Sequence, residues 1–299
     1  MIRAYEQKIK DEEARKIQKI KAQHRISAIR KLRKVGYRSK ANKKNKTLDK
    51  NGILLKAVQN GDAEQVSAMI KGGADPEHED SNGSPLLQIA VRNNDAATVN
   101  ALIDWRASLN TKTRKDGNSA IILACYYADK NVMTALLKAG ADANIRDSRN
   151  GQTALLTCLT LQKIDLFDIV FDIGKGNPRL ADNRGVTPLM VAARYGLIEC
   201  IKKIVLYPKL FVDMKDKTNG LTALMWAARY GQYKAAELLL THKAKKSRKD
   251  FTGQLAMTWA EMFGAHQSLV LLLHPKVPFV PPEEEDEDAD LYSDDEGET

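Results

Sequence analysis

Three cysteines and five histidines are the residues whose types could support metal binding or covalent catalysis in this chain. Cys125, Cys158 and Cys200 lie 33 and 42 residues apart in apolar segments, without a Cys-x-x-Cys pair or a nearby histidine. That spacing offers no tetrahedral zinc set and favours reduced core thiols in a reducing compartment. The histidines are scattered and do not suggest a catalytic dyad; they are His24, His78, His242, His266 and His274.

Two glycine-rich stretches could suggest phosphate-binding loops. Gly72-Gly73 and Gly174-Lys175-Gly176 neither follow a strand pattern nor match the spacing of a P-loop, so turns between helices explain them more simply. We therefore predict a protein without enzymatic activity, cofactor or metal ion.

Charge is distributed unevenly along the 299 residues. Residues 1–50 hold 18 Lys and Arg against 5 Asp and Glu, whereas residues 283–299 hold 11 acidic residues and no basic one, and the whole chain carries +9. A content of 43% hydrophobic and 28% charged residues is typical of a soluble protein. No apolar stretch approaches the roughly 20 residues that cross a bilayer. Oppositely charged ends favour an interaction protein.

The amino-terminal arm, residues 1–48, is predicted to be basic, amphipathic and helical, as one long helix or as two helices. From Arg25 onward it is densely cationic, which predicts salt-sensitive binding to a polyanion. RNA, DNA, an anionic membrane surface and an acidic protein surface all remain open as ligands, and so does a solvated linker without a ligand. The candidate polyanion-binding residues are Arg30, Lys31, Arg33, Lys34, Arg38, Lys40, Lys43, Lys44 and Lys46.

The carboxyl-terminal tail, residues 279–299, is too acidic to fold alone, so we predict disorder there. Ser293 precedes Asp294-Asp295-Glu296 and is a candidate site for an acidophilic kinase. We expect the tail to pair with the basic arm, within one molecule or between two. A second basic cluster, Lys243 to Lys249, resembles a nuclear-import signal, a pattern that also arises by chance.

Between arm and tail, one register of repetition accounts for residues 51–277. A small anchor residue recurs every 33 to 35 positions, and apolar residues follow it at offsets of nine, twelve and thirteen, which is the pattern of one helix face. A shorter helix precedes each anchor and begins at a motif like Thr187-Pro188-Leu189. We predict seven helix-turn-helix units. Their anchors are Ala57, Ala90, Ala124, Cys158, Ala192, Ala227 and Ala260.

These residues resemble the ankyrin repeat, most closely in the run from Gly185 to Gly196, and the resemblance covers residues 51–277. It implies an all-α fold: an ankyrin-repeat solenoid of stacked helix-turn-helix units with short hairpin loops, in a domain spanning residues 49–278. The basic helical arm would precede this domain and the disordered acidic tail would follow it. No unit keeps the family's histidine, which predicts a stack held largely by apolar packing. The replacements are Leu55, Gln88, Ile122, Leu156, Met190, Met225 and Thr258.

The resemblance also implies that partners contact the hairpin tips and the two positions that lie two and three residues after each anchor. Tyrosine and arginine, which are enriched at interface hot spots, dominate these positions. Trp226 and Trp259 directly precede their anchors and are predicted to be buried core residues. The predicted protein-binding residues are Arg92, Tyr126, Tyr127, Arg194, Tyr195, Arg229, Tyr230, Phe251 and Phe263.

We therefore expect a non-enzymatic scaffold or adaptor that holds a protein partner on its concave face and is anchored to a larger assembly, such as the cytoskeleton, through the arm. The expected compartment is the cytoplasm, with the nucleus as the alternative. An alternative function is that of a nucleic-acid- or ribosome-associated factor bound mainly through the arm. Fold alone does not distinguish these functions.

Overall fold

A computed structural model of the chain describes residues 49–114 and 116–281. The predicted arm and most of the predicted tail lie outside these residues. Within the described part, fourteen α-helices form seven consecutive pairs. Their bounds are α1 Lys50–Gln59, α2 Ala63–Lys71, α3 Leu86–Arg92, α4 Ala96–Asp104, α5 Ala120–Tyr127, α6 Lys130–Lys138, α7 Ala154–Thr160, α8 Ile164–Asp172, α9 Pro188–Tyr195, α10 Ile198–Val205, α11 Ala223–Arg229, α12 Tyr233–Thr241, α13 Ala256–Met262 and α14 Gln267–Leu273.

Four of the seven first helices, α1, α7, α9 and α11, begin after a residue whose side chain caps the helix. The Thr187 hydroxyl oxygen accepts a hydrogen bond from the backbone N–H of Met190 at 3.3 Å, and Pro188 occupies the first helical position, where its missing N–H costs nothing. Gly196 ends the same helix with φ at 64°, a left-handed conformation that favours glycine. The predicted starting motif therefore works as a helix cap.

The seven predicted anchors are among the most deeply buried positions of the stack. All of them have a relative exposure of 0%, and the apolar residues nine positions later, from Val66 to Leu269, are no more than 1% exposed. Small anchors allow neighbouring helices to approach closely, and the apolar residues of the second helices fill the space between pairs. The periodic pattern thus identified the core.

The helix pairs stack in a row. The first helix of a unit packs against its own second helix and against the first helices of the adjacent units, as α9 does with α10, α7 and α11. The second helices form a parallel layer in which α10 packs against α12 and α12 against α14. The predicted all-α solenoid is confirmed over the described residues, and each unit relies on its neighbours for burial.

Five of the hairpin loops between units are each held by one carboxylate. Asp216, in the loop before α11, is 2% exposed, and its Oδ1 accepts hydrogen bonds from the backbone N–H groups of Thr218, Asn219 and Gly220 at 2.8–3.1 Å. Four further loops repeat this arrangement. Their aspartates are Asp80, Asp147, Asp182 and Asp250.

The residues at the positions of the family's histidine do not all act through apolar packing. Met190 and Met225 are each 1% exposed, which agrees with the expected apolar packing. Gln88 is also 1% exposed, but its Nε2 donates hydrogen bonds to the carbonyl oxygens of Thr111 at 2.7 Å and Asn118 at 3.3 Å. One unit therefore retains a side-chain hydrogen bond to the following loop.

The three cysteines lie in the core as free thiols. The Sγ atoms of Cys125 and Cys158, from neighbouring units, are 3.5 Å apart, and both residues are 0% exposed. The hydrogen bond to Cys158, followed by burial, raises the pKa of Cys125, and burial raises the pKa of Cys200 to about 12. The thiols of Cys125 and Cys200 therefore stay protonated near neutral pH.

Candidate protein-binding face

The last residues of α9, α11 and α13 occupy equivalent positions in three successive units. Arg194 and Tyr195 end α9, Arg229 ends α11 with Tyr230 directly after it, and Phe263 follows the last residue of α13. Because the first helices stack side by side, their ends form one row along the solenoid. The sequence predicted this row from the offsets after each anchor.

The guanidinium group of Arg194 lies beside aromatic rings of two neighbouring units. Its guanidinium carbon lies 5.1 Å from the ring centroid of Tyr195 in its own unit. The same carbon lies 5.7 Å from the ring of Trp226 and 4.8 Å from the ring of Tyr230, which both belong to the next unit. These distances are within the range of cation–π attraction.

Arg229 repeats the arrangement one unit further along. Its guanidinium carbon lies 5.8 Å from the ring of Tyr230, 5.1 Å from Trp259 and 4.7 Å from Phe263. Aromatic rings and guanidinium groups therefore alternate across three units. We call this surface the arginine–aromatic ladder; it consists of Arg194, Tyr195, Trp226, Arg229, Tyr230, Trp259 and Phe263.

The two tryptophans are the part of the ladder that sequence reasoning misplaced. Trp226 and Trp259 were predicted as buried core, but each is only partly buried and contacts the core along one side. Trp226 stacks on Tyr230 with ring centroids 5.9 Å apart, and Trp259 stacks on Phe263 at 5.7 Å. The available signal was the i, i+4 spacing of the two aromatic pairs, which places both rings on one helix face.

A hydrogen bond from each indole to a loop carboxylate fixes the tryptophans in place. The Nε1–H of Trp226 donates to Oδ2 of Asp216 at 3.1 Å, and that of Trp259 donates to Oδ2 of Asp250 at 2.9 Å. An indole N–H can only donate, so a loop carboxylate is a well-matched partner. The hairpin loops thus position the rings of the ladder.

The pKa of the Asp250 carboxyl group reflects these hydrogen bonds. Burial acts to raise its pKa, but hydrogen bonds from Gln254, from Thr252 and from the indole of Trp259 stabilise the charged form. These donors outweigh burial and hold the pKa of Asp250 below its usual value. The loop before α13 therefore keeps a charged carboxylate next to the aromatic rings.

Neither arginine of the ladder is neutralised by a carboxylate among the described residues. The Nε atoms of Arg194 and Arg229 are buried and have no hydrogen-bond partner there. The aromatic rings beside them remain accessible, with Tyr230 39% and Phe263 51% exposed. The face combines exposed aromatic area with two positive charges, and both features suit protein recognition.

The predicted binding residues do not form one unbroken row from Tyr126 and Tyr127 to the ladder. These tyrosines are 44% and 56% exposed, and their ring centroids are 6.1 Å apart. The equivalent positions of the next unit are Thr160 and Leu161, which supply neither a ring nor a cation. The structure therefore has a tyrosine pair in the third unit, separated by one unit from the ladder.

Two other predicted binding residues have partners in the loops. The Arg92 guanidinium lies 3.7 Å from Oδ2 of Asp116, so its charge is partly balanced. The ring of Phe251 lies beside Gly220 in the preceding hairpin and 5.7 Å from Nζ of Lys215, and it is 62% exposed. Both lie outside the ladder, and their binding role stays a prediction.

The predicted polyanion-binding residues, from Arg30 to Lys46, and the predicted phosphorylation site Ser293 lie outside the described residues. Over residues 49–114 and 116–281, no group of three or more His, Cys, Asp or Glu side chains is placed to hold a metal ion. No helix in the same ranges has the length and apolar character needed to cross a membrane.

The family model for ankyrin repeats matches this chain in three overlapping copies, over residues 54–147, 121–216 and 203–279. The chain belongs to the ankyrin-repeat family. An ankyrin repeat-containing protein of Treponema pallidum (strain Nichols) is 31% identical over 134 residues, which is 45% of this chain and 44% of that protein. The chain thus spans less than half the length of this relative.

Solved ankyrin-repeat structures share the fold. The ankyrin repeat domain of Bcl-3 superposes with a TM-score of 0.63 at 20% identity, covering 74% of this chain and 96% of that chain. The human ASB11 ankyrin repeat domain gives a TM-score of 0.58 at 22% identity, covering 75% of this chain and 98% of that chain. Ankyrin repeats are in general protein-interaction modules, and the ankyrin fold is typically non-catalytic.

Proposed function

We propose that this ankyrin-repeat chain is a non-enzymatic scaffold whose arginine–aromatic ladder holds a segment of a partner protein. The carrying observation is the alternation of exposed rings and unpaired guanidinium groups across three units. Tyrosine, tryptophan and arginine dominate binding energy at interfaces because they combine large contact area with polar groups. The rigid repeat stack would hold them in a fixed arrangement.

The chemistry of the ladder favours a partner segment that offers carboxylate or carbonyl oxygens beside apolar side chains. The two guanidinium groups have no carboxylate partner among the described residues, so a carboxylate of the partner segment would pair with their terminal nitrogen atoms. The exposed faces of Tyr230 and Phe263 would cover the apolar side chains of that segment. A purely basic partner would be repelled.

The basic arm, residues 1–48, is proposed to anchor the scaffold to a larger assembly such as the cytoskeleton. Its support is the charge of residues 1–50, with 18 basic against 5 acidic residues, which suits an acidic surface. A cytoplasmic location is part of this proposal. In the alternative function, the arm binds nucleic acid or the ribosome, and the repeat domain only holds the arm in position.

A capture experiment in the native cell distinguishes these functions. Proteins recovered by the full chain are compared with those recovered by Tyr230→Ala, by Tyr233→Ala and by a chain that lacks residues 1–48, each washed at low and high salt. Tyr233 is the matched control because it is a tyrosine of equal exposure, 38% against 39%, on the second helix of the same unit.

We expect Tyr230→Ala to lose a salt-resistant protein partner that Tyr233→Ala and the shortened chain both retain. The scaffold function would be contradicted if partner proteins are no longer recovered once the arm is removed, and if nuclease or high salt also abolishes their recovery. That result would support the nucleic-acid-associated alternative.

A further inference from the structure

A groove of about 490 Å³ opens among the loops that follow α10 and α12, and none of the ladder residues lines it. Leu210, Phe211 and Met214, which follow α10, supply its apolar lining, and Lys243 and Arg248, which follow α12, supply its positive charge. Phe211 is 66% exposed. A ring exposed to this extent beside two cations suits a ligand that carries both apolar and acidic groups.

One side of the groove continues into a dense basic cluster: Lys243, Lys245, Lys246, Arg248 and Lys249. Asp213 is the groove's acidic residue; its carboxylate accepts from the backbone N–H of Lys245 at 3.0 Å and lies 3.5 Å from Nε of Arg248. Among the described residues, Lys243, Lys245 and Lys249 have no acidic partner within salt-bridge distance. The cluster therefore keeps most of its positive charge.

The chain itself returns to this cluster after the last helix. Nζ of Lys246 donates a hydrogen bond to the backbone oxygen of Val277 at 2.9 Å, and Val277 lies just after α14. Burial lowers the pKa of Lys246, as expected where two segments pack together. Pro282, where the undescribed tail begins, is only five residues after Val277.

We propose that the acidic tail of the same chain, residues 283–299, binds across this basic cluster and seats Leu291 and Tyr292 in the groove. Residues 283–288 are six consecutive acidic residues, which complement the five basic residues of the cluster. Leu291 and Tyr292 are the large apolar side chains of residues 283–299, and acidic residues lie on both sides of them in the sequence.

The tail is long enough to make this contact. Leu291 lies fourteen residues after Val277, and an extended chain of that length spans at most about 45–50 Å. Lys243 is three residues from Lys246, which holds Val277, so the groove lies within a fraction of that span. A short tether also gives the tail an effective concentration of about millimolar, which favours it over a separate acidic protein.

The first test uses zero-length carbodiimide cross-linking of the full chain, with unlabelled and ¹⁵N-labelled protein mixed in equal amounts. Carbodiimide joins a carboxylate to an amine only where the two are in direct contact. We expect links from Glu283–Glu287 to the lysines of the cluster, at least fivefold more abundant than links to Lys71 and Lys138, which end α2 and α6. The links should lie within single chains and should be lost in high salt.

Three outcomes would overturn the proposal: links to the lysines of the basic arm, links that join labelled with unlabelled chains, or links spread evenly over all surface lysines. The first would show pairing of tail and arm, and the second a contact between molecules. The third would show a tail without a fixed site.

The second test examines the groove. A photoreactive benzoylphenylalanine replaces the exposed Phe211 in the full chain, and a separate protein carries it at Phe263 on the ladder. We expect the probe at position 211 to react with residues 289–294 of the same chain. Leu291→Ser with Tyr292→Ser should lower that yield at least fivefold, while Ala289→Ser should leave it unchanged. Capture of the tail at position 263, or equal yield from all tail variants, would contradict the seating in the groove.

Discussion

The guanidinium carbon of Arg194 lies 4.8 Å from the ring centroid of Tyr230, a residue of the next repeat unit. This contact joins two units through side chains on the exposed face, in addition to the apolar core behind them. Arg229 and Phe263 form the equivalent contact at 4.7 Å between the next two units. The ladder is therefore a structural connection between units as well as a candidate binding surface.

A double-mutant cycle should detect this connection. We expect Arg194→Gln and Tyr230→Leu to couple by about 0.5–1 kcal/mol in the free energy of unfolding, since cation–π contacts at exposed sites have that magnitude. Urea unfolding of the wild type, both single variants and the double variant measures the coupling. The pair Arg194→Gln and Tyr233→Leu is the control and should be additive, because Tyr233 lies on the second helix of its unit.

The indole of Trp259 should contribute to stability through Asp250. Trp259→Phe keeps a ring but removes the hydrogen bond of 2.9 Å to the carboxylate, so we expect a loss of about 1.5–3 kcal/mol at pH 7. Trp105→Phe is the control, since Trp105 is 38% exposed at the end of α4. An equal loss in both variants by thermal or urea unfolding would contradict this role of the hydrogen bond.

The same hydrogen bond predicts a dependence on pH. The folded-state pKa of Asp250 lies below the value of about 4 expected for the unfolded chain, so its contribution is complete above pH 4 and is lost as the pH falls through the folded value. The difference in unfolding free energy between wild type and Trp259→Phe should therefore shrink in acid. A difference that stays constant from pH 7 to pH 2.5 would show that ring packing alone is responsible.

The three thiols should resist chemical modification in the folded protein. Cys125, Cys158 and Cys200 are no more than 1% exposed, and the pKa values of Cys125 and Cys200 are raised. We expect alkylation by iodoacetamide at pH 8 to be at least about a hundredfold slower than in urea, because reaction requires local opening. Mass spectrometry of native and unfolded samples measures the rates, and rapid native labelling of any one thiol would contradict its burial.

The anchor positions should tolerate no increase in size. Ala192 is 0% exposed between stacked helices, so Ala192→Leu should reduce the unfolding free energy by about 1–3 kcal/mol or more. The control Ala97→Leu changes an exposed position of α4 and should alter stability by less than about 0.5 kcal/mol. Equal midpoints in urea for the two variants would refute the role assigned to the anchors.

The sequence was sufficient to locate the core and five of the seven ladder residues, but not the contacts that join them. Ala192 and Ala227 are identified as buried because burial within a unit follows the periodic pattern, which the sequence carries directly. The contact of Arg194 with Tyr230 depends instead on the rise and rotation from one unit to the next, which no pattern within a unit specifies. Trp226 was misplaced for a related reason: its hydrogen bond to Asp216 requires the loop to fold back over the helix.

The spacing of the ladder sets a condition on any chain that lies along it. Packed helices are about 8–10 Å apart, and a polypeptide in the polyproline II conformation advances about 3.1 Å per residue with three residues per turn. Such a chain would advance by one unit of the solenoid about every three residues, so side chains at every third position would meet equivalent rings and guanidinium groups. An insertion or deletion of one residue in that chain would shift the register of all subsequent side chains relative to the repeat units.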